Sequence, residues 1–562
     1  MMLAAAARST RSHRSISASS AAASAAALAV RCSVRSVPSA PLSTSAPAHA
    51  AKPKANTDYL EPTHTDDHVP PDVQAKLKRH AAVTLNTYLR PAYILTRGKG
   101  CKLWDSHDRE FLDFSGGIAV NALGHADEGV AKVVQDQSRK LVHSSNLWHN
   151  EWSGELAHLL VQKTKELGGM GYPANQPERN GSADDGGLKV FFTNSGTESN
   201  EGALKFVRKY GKLVSAARNA AGAEKGVTAP TDEKIEIVSF RDGFHGRSMG
   251  ALSATWQDKY QRPFAPLVPG FVPATLNDIE GINAAVTEKT CGVIVEPIQV
   301  SLSPLAQVPF GAVSANWPHA IQGEGGILEA SEEFLRALRR RCDEVGALLI
   351  FDEIQCGLGR TGSFWAHGSM PVDCHPDIIT MAKPLANVSI SSPAAPVHLH
   401  GGGLTFRGSI QGIPIGAIMM KDKVADVIKI GDHGTTFGGQ PLQTRVAHHV
   451  VSRLATPSFL SHVSTVGSHL HSRLEALPTL FPRLVAGAPR GRGLILGLPF
   501  KRDEYVQKVV RLMRERGVLV LSCGKQTIRF VPSLIATEQE VDKVVDVLES
   551  ALVVLNRQEE GL

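Results

Sequence analysis

Cysteine, metal-ligand clusters and long apolar runs are what this sequence is short of. Its seven cysteines in 562 residues are odd in number, scattered and nowhere paired at ligand spacing. That argues against a disulfide framework or a zinc cluster and fits the reduced thiols of a matrix or cytosolic enzyme. The histidines show no metal-like clustering either, so no metal is expected. No apolar stretch approaches the roughly 20 residues needed to span a bilayer, and the sequence predicts a soluble protein. Carboxylates are missing from everything before Asp58, although that stretch holds Arg8, Arg11, Arg14, Arg31, Arg35, Lys52 and Lys54. Those seven cations exceed the whole formal charge of +6, so the rest of the chain carries −1. A near-neutral body offers no electrostatic footprint for nucleic acid. The basic, Ser- and Ala-rich leader, residues 1–55, has the composition of a mitochondrial transit peptide; a secretory signal and a plain disordered tail are the competing readings.

With 42% hydrophobic and 20% charged residues, the remainder reads as a large globular protein of at least two domains. From about Asp105 short β-branched runs alternate with amphipathic stretches, which predicts an α/β fold with a mostly parallel sheet. In such sheets chemistry gathers at the carboxyl ends of strands. Residues 189–192 lead into a Ser-Gly-Thr turn, 292–295 into Glu296, 347–351 into Asp352, and 377–382 into Lys383. Polar Gly/Ala-rich stretches at 168–187 and 214–232 are expected to be surface loops. Helical periodicity beyond Gln440, strand-like runs near Leu494 and Val518, and a closing helix over 538–556 suggest a C-terminal domain. The expected division is 75–140 as an N-terminal segment joining the small domain, 141–440 as the large domain and 441–562 as the C-terminal small domain.

Two segments break this organisation. Residues 300–322 and 388–411 are Pro-, Ser- and Ala- or Gly-rich, and each begins Val-Ser and ends Ile-Gln. Those codons can be read as splice donor and acceptor, and deletion joins Gln299 to Gly323 and Asn387 to Gly412. They are therefore read as retained introns, with genuine surface insertions as the alternative.

Four constellations carry chemistry. Thr193-Asn194-Ser195-Gly196-Thr197-Glu198 lies between a strand and a helix, where free N–H groups and hydroxyls can cradle a phosphate dianion; the same turn also caps helices that bind nothing. Phe244-His245-Gly246-Arg247 pairs a flat ring suited to stacking with a guanidinium that can grip a carboxylate. Asp352, at a strand end, can pair with a pyridinium nitrogen, or simply cap the next helix. Lys383, carried inward by an apolar strand, has the setting in which burial lowers a lysine pKa and frees a nucleophilic amine.

In this order the four resemble the fold-type I pyridoxal-phosphate enzymes, specifically the class-III aminotransferases. Phe351-Asp352-Glu353-Ile354-Gln355, Gly359-Arg360-Thr361-Gly362 and His433-Gly434-Thr435-Thr436-Phe437-Gly438-Gly439 carry that resemblance, which runs from about Asn86 to the C-terminus outside the two inserts. It implies a large domain with a mostly parallel seven-stranded sheet, a smaller α+β domain, and pyridoxal 5'-phosphate as cofactor. By the same resemblance Lys383 holds the cofactor covalently and moves the proton, Asp352 pairs with the ring nitrogen, Gln355 lies near the ring hydroxyl and Phe244 stacks on the ring. Gly196 and Thr197 bind the phosphate, and Thr436 reaches it from a second subunit, which implies a homodimer. Arg247 and Arg529 anchor substrate carboxylates, Glu324 masks Arg529 when the ω-amino donor is bound, and Thr435 lies with the substrate.

Asn86-Thr87-Tyr88, Arg90-Pro91 and the run from Gly116 to His125 resemble the branch of the class that uses acetylornithine. Ornithine-using members have an aromatic about where Gly117 stands, and glycine leaves room for an acyl group. The implied reaction moves the δ-amino group of N2-acetyl-L-ornithine to 2-oxoglutarate, giving N-acetyl-L-glutamate 5-semialdehyde and L-glutamate, a step of arginine biosynthesis. Transfer from ornithine or 4-aminobutyrate stays open. So does a catalytically dead, binding-only protein, because both inserts fall beside the site. A glutamate-semialdehyde mutase fits less well, since both carboxylate-anchor arginines match a glutamate-using transferase.

Overall fold

A computed structural model describes residues 54–65, 69–174, 187–224, 233–300, 326–387, 413–524 and 526–561. Chain contacts divide the sequence into residues 1–52 and 53–562, and all the described residues lie in the second unit. Residues 1–53 of the leader and both inserts, apart from the strand residue Val300, fall outside the described residues, as does Glu324.

The central sheet has seven strands: β4 (Leu188–Thr193), β5 (Glu236–Phe240), β6 (Phe271–Ala274), β7 (Thr290–Val295), β10 (Leu348–Asp352), β11 (Ile378–Met381) and β12 (Gly416–Lys421). Their spatial order is β4-β12-β11-β10-β7-β5-β6, with only β12 antiparallel to its neighbours. This is the mostly parallel seven-stranded α/β architecture the sequence implies. Strands covered on both faces must be apolar throughout, and β7, β10 and β11 are buried at every residue. Alternation then divides the side chains. Ile294, Ile350, Ile378 and Ile418 pack with Ala203, Leu204 and Val207 of the helix Gly196–Glu224, whereas Val293, Leu349, Phe351, Ile379 and Met419 enter the larger core on the other face. Burying one such side chain contributes about 1.5–3 kcal/mol.

That helix corrects one expectation. It runs on to Glu224, so residues 214–224 are helical and not loop. Ala216, Ala217, Ala220 and Ala221 are the reason: a Gly/Ala-rich composition reads as loop, but alanine is the strongest helix former and extends a helix already anchored on the sheet.

The N-terminal strands β1 (Leu95–Lys99), β2 (Lys102–Asp105) and β3 (Glu110–Asp113) form an antiparallel ribbon, closed by β15 (Val518–Leu519) lying parallel to β3. A second four-stranded sheet, ordered β13-β14-β17-β16, comprises β13 (Arg490–Arg492), β14 (Ile495–Pro499), β16 (Leu521–Cys523) and β17 (Thr527–Phe530). After β7 the chain makes a short ribbon of β8 (Ile298–Val300) and β9 (Ile327–Glu329). The closing helix, Glu538–Glu560, starts with a capping box between Thr537 and Glu540. No helix among the described residues is long and apolar enough to cross a membrane.

Candidate active site

Register brings the chemistry together. Asp352 ends β10 beside Thr380 of β11, and Val295, paired with Phe351, delivers Glu296 to the same edge. Lys383 follows β11 in a short 3-10 turn, Lys383–Ala386. The Ser-Gly-Thr turn follows β4, and Phe244 and His245 follow β5. All lie at the carboxyl ends of the parallel strands, where such sheets leave a crevice.

Asp352 is 4% exposed and fully engaged. Its Oδ2 accepts from Asn200 Nδ2 at 2.8 Å and meets His245 Nδ1 at 2.9 Å, and its Oδ1 accepts from the Ile354 amide at 3.1 Å. Asn200 is itself oriented: its Nδ2 also donates to the His245 carbonyl at 2.6 Å, and its Oδ1 accepts from Thr380 Oγ1 at 2.8 Å. Burial opposes charge on His245, but the hydrogen bond to Asp352 and the charges of Asp352 and Glu296 outweigh it and raise its pKa. Glu296 is buried, and its Oε2 accepts from the Phe244 amide at 3.0 Å.

Lys383 is half-buried. Desolvation first, and the Arg529 charge second, push its pKa down to about 7; Asp352 and Glu296 pull upward and Arg360 adds to the depression. Such an amine holds and releases a proton near neutrality, the property nucleophilic and proton-transferring lysines need.

Gly196 and Thr197 open the long helix, where first-turn amides have no intrahelical acceptor. Thr197 Oγ1 lies 2.6 Å from Ser248 Oγ. Gly246 passes so close, at φ +139°, that a Cβ there would come within 2.3 Å of Thr197 Oγ1, which glycine avoids. Thr435 Oγ1 accepts from Asn194 Nδ2 at 3.0 Å, so it joins this turn, while Thr436 is exposed. Phe244 is half-buried, edge-on to Tyr260 at 6.0 Å. The exposed Arg247 sets its guanidinium 3.8 Å from the Tyr260 ring centroid. Arg529, on β17, donates from Nη1 to Gln355 Oε1 at 3.0 Å, and its buried Nε has no partner among the described residues.

Of the residues singled out from sequence, Gly196, Thr197, Phe244, Asp352, Gln355, Lys383, Thr435 and Arg529 thus converge, directly or through named partners, and Arg247 lies beside Phe244. Sequence reasoning passed over Asn200, His245, Thr380 and Arg360 as site residues, and named Glu296 only as a strand end. His245 and Arg360 lay inside quoted motifs; Asn200 and Thr380 had no signal beyond helix and strand position.

The arrangement is one that known proteins share. A model of the family "Aminotransferase class-III" matches residues 85–395 and 407–552. Acetylornithine aminotransferase, mitochondrial, from Neurospora crassa is 43% identical over 92% of this chain and 96% of its own length. The protein of the same name from Yarrowia lipolytica is 44% identical over 83% of this chain and 93% of its own. Among solved structures, N-acetylornithine aminotransferase from Stenotrophomonas maltophilia matches with a TM-score of 0.60 and 28% identity, covering 86% of this chain and all of that one.

Proposed function

This chain belongs to the class-III aminotransferases, and from that premise we propose that it transfers the δ-amino group of N2-acetyl-L-ornithine to 2-oxoglutarate, as a step of arginine biosynthesis. The observation that carries this reading is the pairing of a desolvated Lys383 amine, its pKa near 7, with the buried carboxylate of Asp352 at adjacent strand ends. The relatives named for acetylornithine support the donor.

The residues fit pyridoxal 5'-phosphate. Asp352 offers a buried carboxylate whose two oxygens are already oriented, the helix start at Gly196 offers amides for a phosphate, and Phe244 offers a ring face. When bound, the cofactor supplies an aldehyde that takes up the amino group and a ring that withdraws electrons. In our reading Lys383 Nζ would hold the cofactor and, once displaced by the substrate amine, move the proton at the substrate carbon. Asp352, oriented by its contacts with His245 and Asn200, would pair with the ring nitrogen. Gln355 lies near the ring hydroxyl. Arg247 grips the donor's α-carboxylate and, in the second half-reaction, the side-chain carboxylate of glutamate. Arg529, its Nε without a partner, takes the α-carboxylate of glutamate or 2-oxoglutarate. Glu324 as a mask on Arg529 belongs to the same proposal.

A homodimer completes the reading. Leu85, Tyr88, Leu89, Leu147, Trp148 and Phe437 are exposed large apolar side chains of the kind a partner subunit would cover, and Thr436 stands exposed beside Phe437. The named relatives are mitochondrial proteins, and the acid-free leader supports the mitochondrial matrix for this chain. The test is turnover of acetylornithine with 2-oxoglutarate by the protein lacking its leader, compared with free ornithine. A clear preference for ornithine rejects the donor assignment, and absence of any transamination rejects the proposal.

A further inference from the structure

Arg360 sits in the turn after β10 with its side chain fully buried, yet no carboxylate pairs with it among the described residues. Its Nη1 donates to the carbonyls of Pro532 at 2.5 Å and Leu494 at 3.0 Å, and its Nη2 to that of Ala119 at 3.3 Å; its Nε has no partner. Burial, and then the neighbouring Arg529, push its pKa down to about 9. Withdrawing an unneutralised charge from water costs several kcal/mol, and an apolar side chain of similar volume would avoid that cost. Three carbonyls to satisfy account for a guanidinium here, but not for its placement close enough to feel a second buried cation, Arg529.

The three carbonyls belong to three separate segments. One ends the turn Gly116–Ala119, another precedes β14, and the third follows the β17 strand that carries Arg529. The turn is left-handed throughout, with φ of 51°, 63°, 65° and 64° from Gly116 to Ala119. At Ile118 and Ala119, which carry a Cβ, that conformation is strained and persists only where its surroundings fix it. Asp113 fixes one end, its Oδ1 accepting from the Ser115 amide at 2.9 Å and the Gly116 amide at 3.1 Å. Arg360 holds the other.

We propose that Arg360 is a positioning and specificity residue for the anionic acceptor: it clamps the left-handed turn to the segment that carries Arg529, and it adds to the Arg529 guanidinium a second buried positive charge that no carboxylate meets among the described residues. The inference rests on the reading of Arg529 as the acceptor's α-carboxylate anchor. Among the described residues neither buried cation meets a carboxylate, and Arg529 leans on a neutral amide, Gln355. A dicarboxylate relieves both, since its α-carboxylate supplies the missing counter-charge and the unpartnered Nε of Arg529 gains an acceptor. The acylated donor, whose δ-amino end carries no carboxylate, gains nothing comparable there.

The experiment compares wild-type holoenzyme with R360K, R360Q and R529Q, measuring KM for 2-oxoglutarate and the single-turnover rate of the acetylornithine half-reaction. Removing a buried charge that acts on a ligand charge raises KM, so R360Q is expected to raise it about tenfold while the donor half-reaction stays within about threefold. R360K, which keeps the charge while loosening the clamp, is expected to raise KM by less than R360Q does, about threefold. Equal loss of both half-reactions in R360Q means a merely structural role and overturns the proposal, as does an unchanged KM. Should R360Q not yield folded holoenzyme, R360K decides alone: a rise in KM of about threefold or less supports the charge, and a tenfold rise overturns it. R529Q separates the two readings. If it leaves KM for 2-oxoglutarate unchanged, the anchor assignment has failed; if it raises KM while R360Q does not, only the inference about Arg360 has.

Discussion

His245 Nδ1 lies 2.9 Å from Asp352 Oδ2 with both side chains withdrawn from water. The pair gives the imidazole a higher pKa folded than its ordinary 6.5. A group raised in this way contributes stability that is fully present below the unfolded value and is lost as pH climbs through the folded one. The wild-type protein should therefore lose thermal stability as pH rises above 6.5, and H245N, which keeps a donor near the same point without the charge, should lose less. Melting temperatures across that range check this; parallel slopes would contradict it.

Lys383 is the residue whose removal should cost most. K383A leaves neither an amine to hold the cofactor nor one to move the proton, and positioned proton transfer alone supplies about 10²–10⁴-fold in rate. Turnover should fall by at least about 100-fold with the far-ultraviolet spectrum unchanged, since the residue lies at the cleft and not in the core. Residual activity above a tenth of wild type would show that another group does this work.

Tyr260 holds Arg247 by its ring face, 3.8 Å from the guanidinium. An exposed contact of this kind is worth about 0.5–1 kcal/mol, so Y260L should raise KM for acetylornithine roughly two- to fivefold with kcat nearly unchanged. A fall in kcat with KM constant would place Tyr260 in the reaction itself and not in donor binding.

How far the sequence was legible follows from where its information is local. Each of β7, β10 and β11 is a short, mostly apolar run that ends in or leads into a charged residue, so Asp352 and Lys383 could be read directly. The contacts that tune them could not. Asn200 is one polar residue on a long helix, Glu296 one acid after a strand, and only the parallel register brings them to Asp352 and Phe244. The left-handed turn was invisible for the same reason. Ile118 and Ala119 have no intrinsic preference for positive φ, and contacts with Asp113 and Arg360, distant or outside the turn, impose it. Composition misled where local and tertiary preferences disagree, as at residues 214–224.

Gly117 lies in that turn at φ +63°, with a Cβ position 3.2 Å from Asn121 Nδ2. G117Y should therefore act twice. The strained backbone costs about 1–2 kcal/mol of stability, and on the proposed donor assignment the ring would fill the room that glycine leaves for an acyl group. The kcat/KM for acetylornithine should fall by more than that for ornithine. An equal loss for both donors would mean that Gly117 serves the backbone alone.

The two inserts make the most demanding prediction, because β8 and β9 are already a paired ribbon. Gln299 faces Leu328 across it. Deleting residues 300–322 leaves residues 323–327 between that pair, within the ordinary hairpin range of roughly 2–5 residues. Deleting 388–411 returns the chain from Asn387, whose Oδ1 accepts from the Leu123 amide at 2.7 Å, to residues 412–415 and then to β12. Neither excision breaks a strand pairing of the central sheet, so a protein lacking both should fold, bind cofactor and turn over acetylornithine faster than the full chain. Displacements near 1 Å beside a reacting centre can cost about a hundredfold, which sets the size of gain to look for. Equal activity of the two forms would make the inserts tolerated loops, whereas an active full chain and an inactive shortened one would show that the inserts belong to the enzyme.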